Sequence, residues 1–448
     1  MSSQKPAALV IGAGIAGIQA ALDIADAGFP VYLVEREPSV GGRMSQLDKT
    51  FPTLDCSSCI LTPKMVDVGQ HPLIELMTYS EVVTVEGEEG SFRVTVRKKP
   101  RYVDVDKCTG CGLCAEACRM HGRVIDVFNR GLGKRAAVYV PFPQAVPLVY
   151  TVDPDACLYL TRGVCGKTFK CKDACPADAI DFEQKEQFVE VEVAAIIVAT
   201  GFDLIDPRTK PEFGYGVYPS VLTGLEFERL SSASGPTAGK VLLNGKEPKD
   251  VVFIHCVGSR DPHTGVPYCS RICCMYAAKH AHLVRDKLPD ARITVFYMDV
   301  RAFGKGYEEF YDRVKHERVM YRRGEPSEIY RRGDRLVVRA EDTLLRRTVE
   351  VEADLVVLAT AVVPRADGAA VADLLGLARS PDGFFQEAHP KFRPVESNRP
   401  GVFLAGCCQG PKDIPDTVAQ AKAAAASAMG VLQRAMEGER GSLEVQEA

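Results

Sequence analysis

An α/β fold with two Rossmann-like dinucleotide-binding domains, the first interrupted by a cysteine-rich insert, is what three features of this 448-residue sequence predict. The first is a strand–turn–helix–strand run from Val10 to Met44, opening Val-Ile-Gly-Ala-Gly-Ile-Ala-Gly. The second is a block of eight cysteines lying between two strand-like segments. The third is another strand–helix–strand frame, from Val251 to Asp299, whose first turn has lost those glycines. A chain this long exceeds one compact core, so two or three domains are expected.

Ala8 to Ile11 reads as a buried strand feeding a turn in which Gly12, Gly14 and Gly17 let backbone crowd a pyrophosphate. Gly17 also lets the following helix pack tightly on the strand, and the helix N-terminus faces the phosphate charge. Val31 to Glu35 forms the next strand, and Glu35 at its end can hydrogen-bond a ribose hydroxyl. Strand, turn, helix, strand and acid fall in the order that dinucleotide binding requires. Past Arg36, the Gly41-Gly42-Arg43 run resembles the flavoprotein disulfide-reductase pattern, which points to FAD rather than NAD.

Composition narrows the function classes. Hydrophobic residues at 46% and charged residues at 25% are ordinary for a globular protein. A net charge of −4 gives no hint of nucleic acid or an anionic membrane. Asp23, Asp26 and Glu35 interrupt the most apolar stretch, so no membrane span is expected. The N-terminus runs into the first strand without a signal segment, and a cytoplasmic location is expected. Sixteen cysteines in such a setting read as metal ligands rather than extracellular disulfides.

A proline-flanked segment follows, Phe51-Pro-Thr-Leu-Asp-Cys56-Ser-Ser-Cys59. Its cysteines could be a redox disulfide, half a metal site or a structural pair; with Cys407 and Cys408 they could also supply a fourth cluster. Ile74 to Met77 and Ser91 to Lys98 read as strands, the second alternating at Phe92, Val94 and Val96. A partner appears only at Phe188 to Val193, running into Ala194-Ala-Ile-Ile-Val-Ala-Thr200-Gly201. The intervening residues therefore form an insertion at a hairpin tip, a site that tolerates one.

The insert opens Cys108-Thr-Gly-Cys111-Gly-Leu-Cys114-Ala-Glu-Ala-Cys118 and continues with Cys157, Cys165, Cys171 and Cys175-Pro176. The C-x2-C-x2-C-x3-C spacing is that of bacterial ferredoxins, in which three thiolates hold one [4Fe–4S] cluster and the fourth crosses to the other. On that pattern Cys108, Cys111, Cys114 and Cys175 hold one cluster. Cys118, Cys157, Cys165 and Cys171 hold the second. Zinc sites use paired knuckles instead. Arg119 stands where proline is expected, and Cys157 and Cys165 are widely spaced, with a compact helix-rich loop from Leu158 to Phe169 expected between them.

After Asp206-Pro207 and a loose segment, Ser231 to Lys240, the second frame begins. Val251 to His255 is a strand, Arg271 to Lys287 a helix and Arg292 to Met298 a strand. Its turn reads Cys256-Val-Gly-Ser, with Cys269, Cys273 and Cys274 following, so four cysteines stand where a pyrophosphate would sit and a third cluster is expected there. A strand pair (Ser327 to Tyr330, Leu336 to Ala340) leads to an exit strand, Glu352 to Ala361. The chain then returns through Gly401 to Gly406 and an alanine-rich helix, Pro415 to Met436, with a frayed tail from Glu437. In the place of a Gly-Asp pair that reaches the ribityl chain in such flavoproteins, this sequence has Gly406-Cys407-Cys408-Gln409-Gly410-Pro411-Lys412-Asp413, with Asp413 or Asp416 as the substitute acid.

Together, Cys56-Ser-Ser-Cys59-Ile-Leu, Pro141-Phe-Pro-Gln-Ala-Val-Pro147, the Cys256/Cys269/Cys273/Cys274 set and Cys408-Gln-Gly-Pro-Lys-Asp-Ile-Pro-Asp416-Thr resemble the A-type subunit of heterodisulfide reductase, an iron–sulfur flavoprotein, in a short form. The resemblance implies a thioredoxin-reductase-like flavoprotein core carrying FAD, an inserted two-cluster ferredoxin domain and a further cluster in the core, three [4Fe–4S] clusters in all. It implies an oxidoreductase component working by flavin-based electron bifurcation in an anaerobe. The partners implied are B- and C-like subunits, a hydrogenase or dehydrogenase for electron input, and ferredoxin, with a homodimer as a further option. It also places the last helix N-terminus at the flavin pyrimidine ring, where its partial positive charge favours an anionic reduced flavin. The expected boundaries are a flavin domain in three pieces (1–100, 187–215 and 385–448), the ferredoxin domain at 101–186 and a degenerate NAD(P)H-type domain at 216–384. An alternative is a self-contained NAD(P)H oxidoreductase similar to the glutamate synthase small subunit. That family keeps a second glycine fingerprint and carries its ferredoxin part first, and this sequence does neither. A purely structural iron–sulfur scaffold would leave the flavin fingerprint idle. No catalytic Ser-His-Asp set or carboxylate pair stands out, and His280 and His282 read as surface or packing residues.

Overall fold

Runs of Val, Ile, Leu and Ala that are buried on both faces favour parallel pairing, and they assemble the first sheet of this computed structural model, which describes residues 5–165 and 168–446. Its seven strands lie in the order Glu387–His389, Arg393–Ser397, Val402–Leu404, Ala195–Val198, Ala8–Ile11, Val31–Glu35 and Ile74–Thr78. Val10 stands opposite Ile197 on one side and Leu33 on the other, both in parallel. Chain beginning, middle and end thus meet in one sheet. The helices Ile15–Asp26 and Ile414–Gln446 pack together over it, sealing a core that includes Ile18, Ile24, Ala421 and Ala425.

Gln187–Val193 pairs antiparallel with Ser91–Lys98, Val189 opposite Val96, across the inserted residues. Ser80–Glu88 adds a third strand that periodicity does not reveal, because Glu81, Glu86 and Glu88 mask its alternation. The second half repeats this plan. Five parallel strands run in the order Val221–Thr223, Leu355–Thr360, Asp250–Val257, Arg292–Tyr297 and Val319–Arg323. Beside them an antiparallel layer contains Pro326–Arg332, Arg335–Asp342 and Arg347–Ala353. The expected single strand from Glu352 to Ala361 is therefore two. The chain breaks at Asp354, whose carboxylate accepts the Lys249 and Asp250 amides at 2.8 and 3.0 Å and carries the chain from one sheet to the other.

Three local features complete the comparison with the sequence. Cys56 caps a helix not assigned from the sequence, Ser57–Gln70, which tolerates Pro63 in its second turn. The final helix runs to Gln446 instead of ending at Met436 in a frayed tail. Between Cys157 and Phe169 there is a short helix, Leu158–Arg162; residues 166 and 167 of the expected loop lie outside the described residues.

Two buried arginines fix the parts against one another. Arg101 donates to Thr151 Oγ1 and the Pro38 carbonyl, both at 2.8 Å, tying the start of the insert to the first sheet. Arg229 donates to Asn129 Oδ1 at 3.0 Å and the Gln46 carbonyl at 3.1 Å, linking the second half to the insert and the glycine-doublet segment. Such charged hydrogen bonds hold position because a buried guanidinium left unpaired is costly. The two crossings between halves, Asp203–Leu204 and Val362–Val363, pair antiparallel.

Candidate cofactor sites

A cavity of about 940 Å³ opens where the first sheet, the insert and the second half meet. Of the residues expected to touch a flavin nucleotide, Gly12, Gly14, Glu35, Arg36, Gly42, Arg43, Thr200, Gly201, Lys412 and Asp413 line it. Gly17 and Gly406 stand behind the wall and shape it. A Cβ on Gly17 would lie 1.8 Å from the Gly12 carbonyl oxygen, and one on Gly406 would lie 2.9 Å from Ala16 Cβ. Gly42 has φ of +54° and its missing Cβ would be 2.8 Å from Gly14 Cα, so the two glycine segments touch along their bare backbones. A cradle of this kind fits a pyrophosphate at the N-terminus of Ile15–Asp26.

The charged members have partners. Glu35 accepts the Ala13 amide at 2.7 Å and the Glu37 amide at 2.9 Å, and burial pushes its carboxyl above the ordinary range. Carboxylate oxygens carry further lone pairs, so a ribose hydroxyl can still be accommodated. Arg43 pairs with Asp203 at 2.9 Å, and Arg36 with Asp367, which anchors the cavity rim to the interdomain crossings. Of the two candidate acids, Asp413 faces the cavity and accepts Tyr307 Oη at 2.5 Å. Asp416 instead pairs with Arg271 at 3.1 Å. Burial lowers the Lys412 ammonium below its ordinary value.

Sequence reasoning missed a buried triad on the opposite wall. Glu228 accepts from Lys279 Nζ, from His280 Nε2 at 2.6 Å and from the Asp48 amide at 3.0 Å. Lys279 also donates to the Lys49 carbonyl at 2.8 Å, and all three side chains are at most 3% exposed. Burial would raise Glu228, but Lys279 and His280 overcome it and hold the carboxyl down to about 2. Burial lowers the His280 imidazole below its ordinary value in turn. The legible signal was the setting of Lys279 and His280 among Ala277, Ala278, Ala281 and Val284, since a helix apolar on all sides is a buried one. His282 is half-buried and meets Glu317 at 2.8 Å.

The cysteines of the insert gather as two groups. Cys108, Cys111 and Cys175 surround Cys114, and Cys118, Cys157 and Cys165 surround Cys171. Burial first, then the neighbouring thiols, push Cys114 up to about 12 and Cys171 up to about 11. Metal-free, these thiols stay protonated; a cluster would take them as thiolates. Cys111 is exposed, whereas Phe182 and Phe169 pack on Tyr159 beside the second group. The insert also reaches the cavity through Phe128 and Phe142, stacked 4.8 Å apart.

In the second half, Cys256 has φ of +57° within a register shift of its strand, and this turns it toward Cys273. Such irregularities re-aim side chains. Cys273 and Cys274 open the helix Cys273–Lys287, whose dipole favours thiolate. Cys256 and Cys274 are held below the ordinary thiol value, chiefly by hydrogen bonding with Cys273. Cys269 takes the Arg271 amide at 3.3 Å, and Arg260 stands within reach of both Cys269 and Cys256. His255 is 3% exposed and lies against Cys274, whose thiol is the polar group its ring faces. Among the described residues no three His, Cys, Asp or Glu side chains converge on a single ion. A four-iron cluster takes one thiolate per iron, so its ligands stand wider apart than those of one ion.

The remaining four cysteines form no fourth set. Cys56 and Cys59 are joined as a disulfide. Cys407 lines the cavity and donates to the Lys412 carbonyl at 3.4 Å, while Cys408 donates to the Val198 carbonyl at 3.1 Å and is pushed by burial up to about 12.

Comparison with known proteins gives these sites a setting. A model for FAD-dependent oxidoreductases matches residues 8–54, and one for 4Fe-4S binding domains matches residues 101–121. The chain is 58% identical to an A-type iron-sulfur subunit of CoB–CoM heterodisulfide reductase from Methanopyrus kandleri, over 94% of this chain and 63% of that protein. It is 54% identical to the A-type subunit of the H(2):CoB-CoM heterodisulfide,ferredoxin reductase of Methanothermobacter marburgensis, with the same coverage. With the A-type subunit of the Ferredoxin/F(420)H(2)-dependent CoB-CoM heterodisulfide reductase of Methanosarcina acetivorans it shares 47% over 95% of this chain and 53% of that one. The chain thus spans under two thirds of these relatives' length. Among solved structures, thioredoxin reductases from T. acidophilum (TM-score 0.52, 13% identity, 95% of this chain and 98% of that) and Lactococcus lactis (0.51, 14%, 96% and 100%) share the fold. These matches support FAD and at least one [4Fe–4S] cluster as cofactors of the chain. No helix among the described residues is long and apolar enough to cross a membrane.

Proposed function

Because the chain belongs to the A-type subunit family of heterodisulfide reductases over the region it shares with those proteins, we propose that it is the FAD- and cluster-carrying electron-transfer part of a heterodisulfide-reductase-type complex. Three [4Fe–4S] clusters would be held, by Cys108/Cys111/Cys114/Cys175, by Cys118/Cys157/Cys165/Cys171 and by Cys256/Cys269/Cys273/Cys274. FAD, once bound, exchanges electrons in pairs or singly. Gly12, Gly14 and Gly42 cradle its phosphates in this reading, Glu35 takes the ribose, and Asp413, braced by Tyr307, faces the cavity. The buried Lys279–Glu228 pair places fixed charges on the wall from the second half.

The observation that carries the proposal is the cysteine set at the first turn of the second βαβ frame. A nicotinamide nucleotide needs glycine backbone and free amides at that turn. Here Cys256, Cys273 and Cys274 crowd it, with the buried His255 against Cys274. Electrons would pass between flavin and a docked partner through a cluster at this position, rather than as hydride. The partners in this reading are B- and C-like subunits, a hydrogenase- or dehydrogenase-type donor and ferredoxin, and coupling of two electron paths at the flavin is part of it. The self-contained NAD(P)H oxidoreductase is the competing reading. Anaerobic purification with iron, sulfide and flavin counted tests the proposal. About twelve irons per flavin are expected from three four-iron clusters, falling by about four in Cys256→Ser with flavin retained. Iron unchanged by Cys256→Ser would remove the third cluster from the account.

A further inference from the structure

The Cys56–Cys59 bridge belongs to none of the three cysteine groups, and the proposed electron path does not use it. We propose that this pair is a thiol–disulfide exchange site for external thiols and dithiols, with Cys59 the sulfur that is attacked and Cys56 the one that leaves.

Access sets the direction. Cys59 is exposed and Cys56 half-buried, so an incoming thiolate reaches Cys59. Ile60 beside it is 44% exposed and offers an apolar contact for the incoming molecule. Cys56 is the better leaving group. It caps the helix Ser57–Gln70, and its sulfur accepts the Cys59 amide at 3.3 Å. A thiolate at a helix N-terminus is stabilised by that amide and by the dipole, and a more acidic leaving thiol departs faster. The helix start is also anchored. Ser57 is fully buried, its hydroxyl donates to the Met44 carbonyl at 2.7 Å and its amide to the Asp48 carbonyl at 2.9 Å. Cys56 therefore stays in place while Cys59 carries the adduct. Pro63 has no amide to give the Cys59 carbonyl, so the first turn lacks one helical bond and can adjust. Cys56 stands opposite Lys49 in a two-stranded ribbon, and Lys49 lines the flavin cavity, so the exchange occurs one strand from that wall.

An external dithiol supplies the electrons. One of its thiolates attacks Cys59 Sγ; the Cys56–Cys59 bond breaks, a mixed disulfide forms on Cys59, and Cys56 leaves as thiolate. The second thiol of the reagent then attacks its own mixed-disulfide sulfur and releases Cys59. The pair gains two electrons and two protons, and the dithiol ends as its cyclic disulfide. A small disulfide reverses the sequence.

The test uses the anaerobic holoprotein equilibrated in graded mixtures of reduced and oxidised dithiothreitol, then acid-quenched, alkylated and digested with trypsin. The tryptic peptide of residues 50–64 contains Cys56 and Cys59 and no other cysteine. Its mass should move reversibly from bridged to dithiol form across the series. With oxidised glutathione, Cys56→Ser should hold a stable adduct on Cys59, and Cys59→Ser should hold several-fold less on Cys56. A pair that stays bridged, or stays reduced, in every mixture would overturn the proposal, as would an adduct that prefers Cys56. Neither readout depends on the clusters or on turnover.

Discussion

Replacing Lys279 with Met probes the wall that joins the second half to the flavin cavity. The substitution removes the cation that Glu228 faces and leaves that carboxylate 3% exposed, with only His280 and the Asp48 amide as partners. In the native protein the carboxyl is held from its ordinary 4.5 down to about 2. At 1.36 kcal/mol per unit that is about 3 kcal/mol in favour of the ionised form, net of the burial that opposes it and shared among Lys279, His280 and the Asp48 amide. Breaking a buried pair by removing one partner costs about 3–5 kcal/mol. Equilibrium urea unfolding of anaerobic holoprotein, followed by circular dichroism, should show a midpoint lower by about 1 M for a slope near 3 kcal/mol per molar. Because the lost energy belongs to a pair, Glu228→Gln with Lys279→Met should recover much of it, and the two single changes should be far from additive. A native midpoint in Lys279→Met, or simple additivity in the double variant, would refute the reasoning.

The same carboxyl makes stability acid-sensitive. Its depressed value means the contribution is complete above about 5 and is lost as pH falls toward about 2, so the stability gap between the native protein and Lys279→Met should narrow across that range. Gly17→Ala must push a Cβ out of the 1.8 Å gap to the Gly12 carbonyl, and FAD affinity measured by equilibrium dialysis should fall at least about tenfold, or about 1.4 kcal/mol; unchanged affinity would remove this turn from the site. Cys111→Ser should remove or convert one cluster, read as iron per flavin, while leaving FAD bound; unchanged iron counts against the assignment.

Periodicity made the central strands legible. Ala8–Ile11, Val31–Glu35 and Asp250–Val257 are largely apolar runs whose only stable place is a sheet covered on both faces. Cysteine spacing was informative because cluster chemistry constrains it, and the two groups of the insert gather as the spacing implies. Less could be read where tertiary contacts override local pattern. The helix Ser57–Gln70 carries Pro63 and was hidden by it, although Ser57 is fixed by Met44 and Asp48. Ser80–Glu88 and Arg347–Ala353 are rich in charged residues, and it is the backbone ladder that makes them strands. Glu228 and Lys279 are far apart in sequence, and charged residues on helices read as solvated. Only packing of Gly224–Ser231 against Cys273–Lys287 brings them together.

Flavin reduction on rapid anaerobic mixing with NADH or NADPH, followed by the visible absorbance of the oxidised flavin, tests the central claim most directly. A turn filled by Cys256, Cys273 and Cys274 leaves no glycine cradle for a nicotinamide nucleotide, so the account predicts negligible bleaching by either, and prompt bleaching by a low-potential one-electron donor such as reduced ferredoxin. Rapid reduction by NADH or NADPH in the isolated chain would contradict it and establish hydride entry at the second unit.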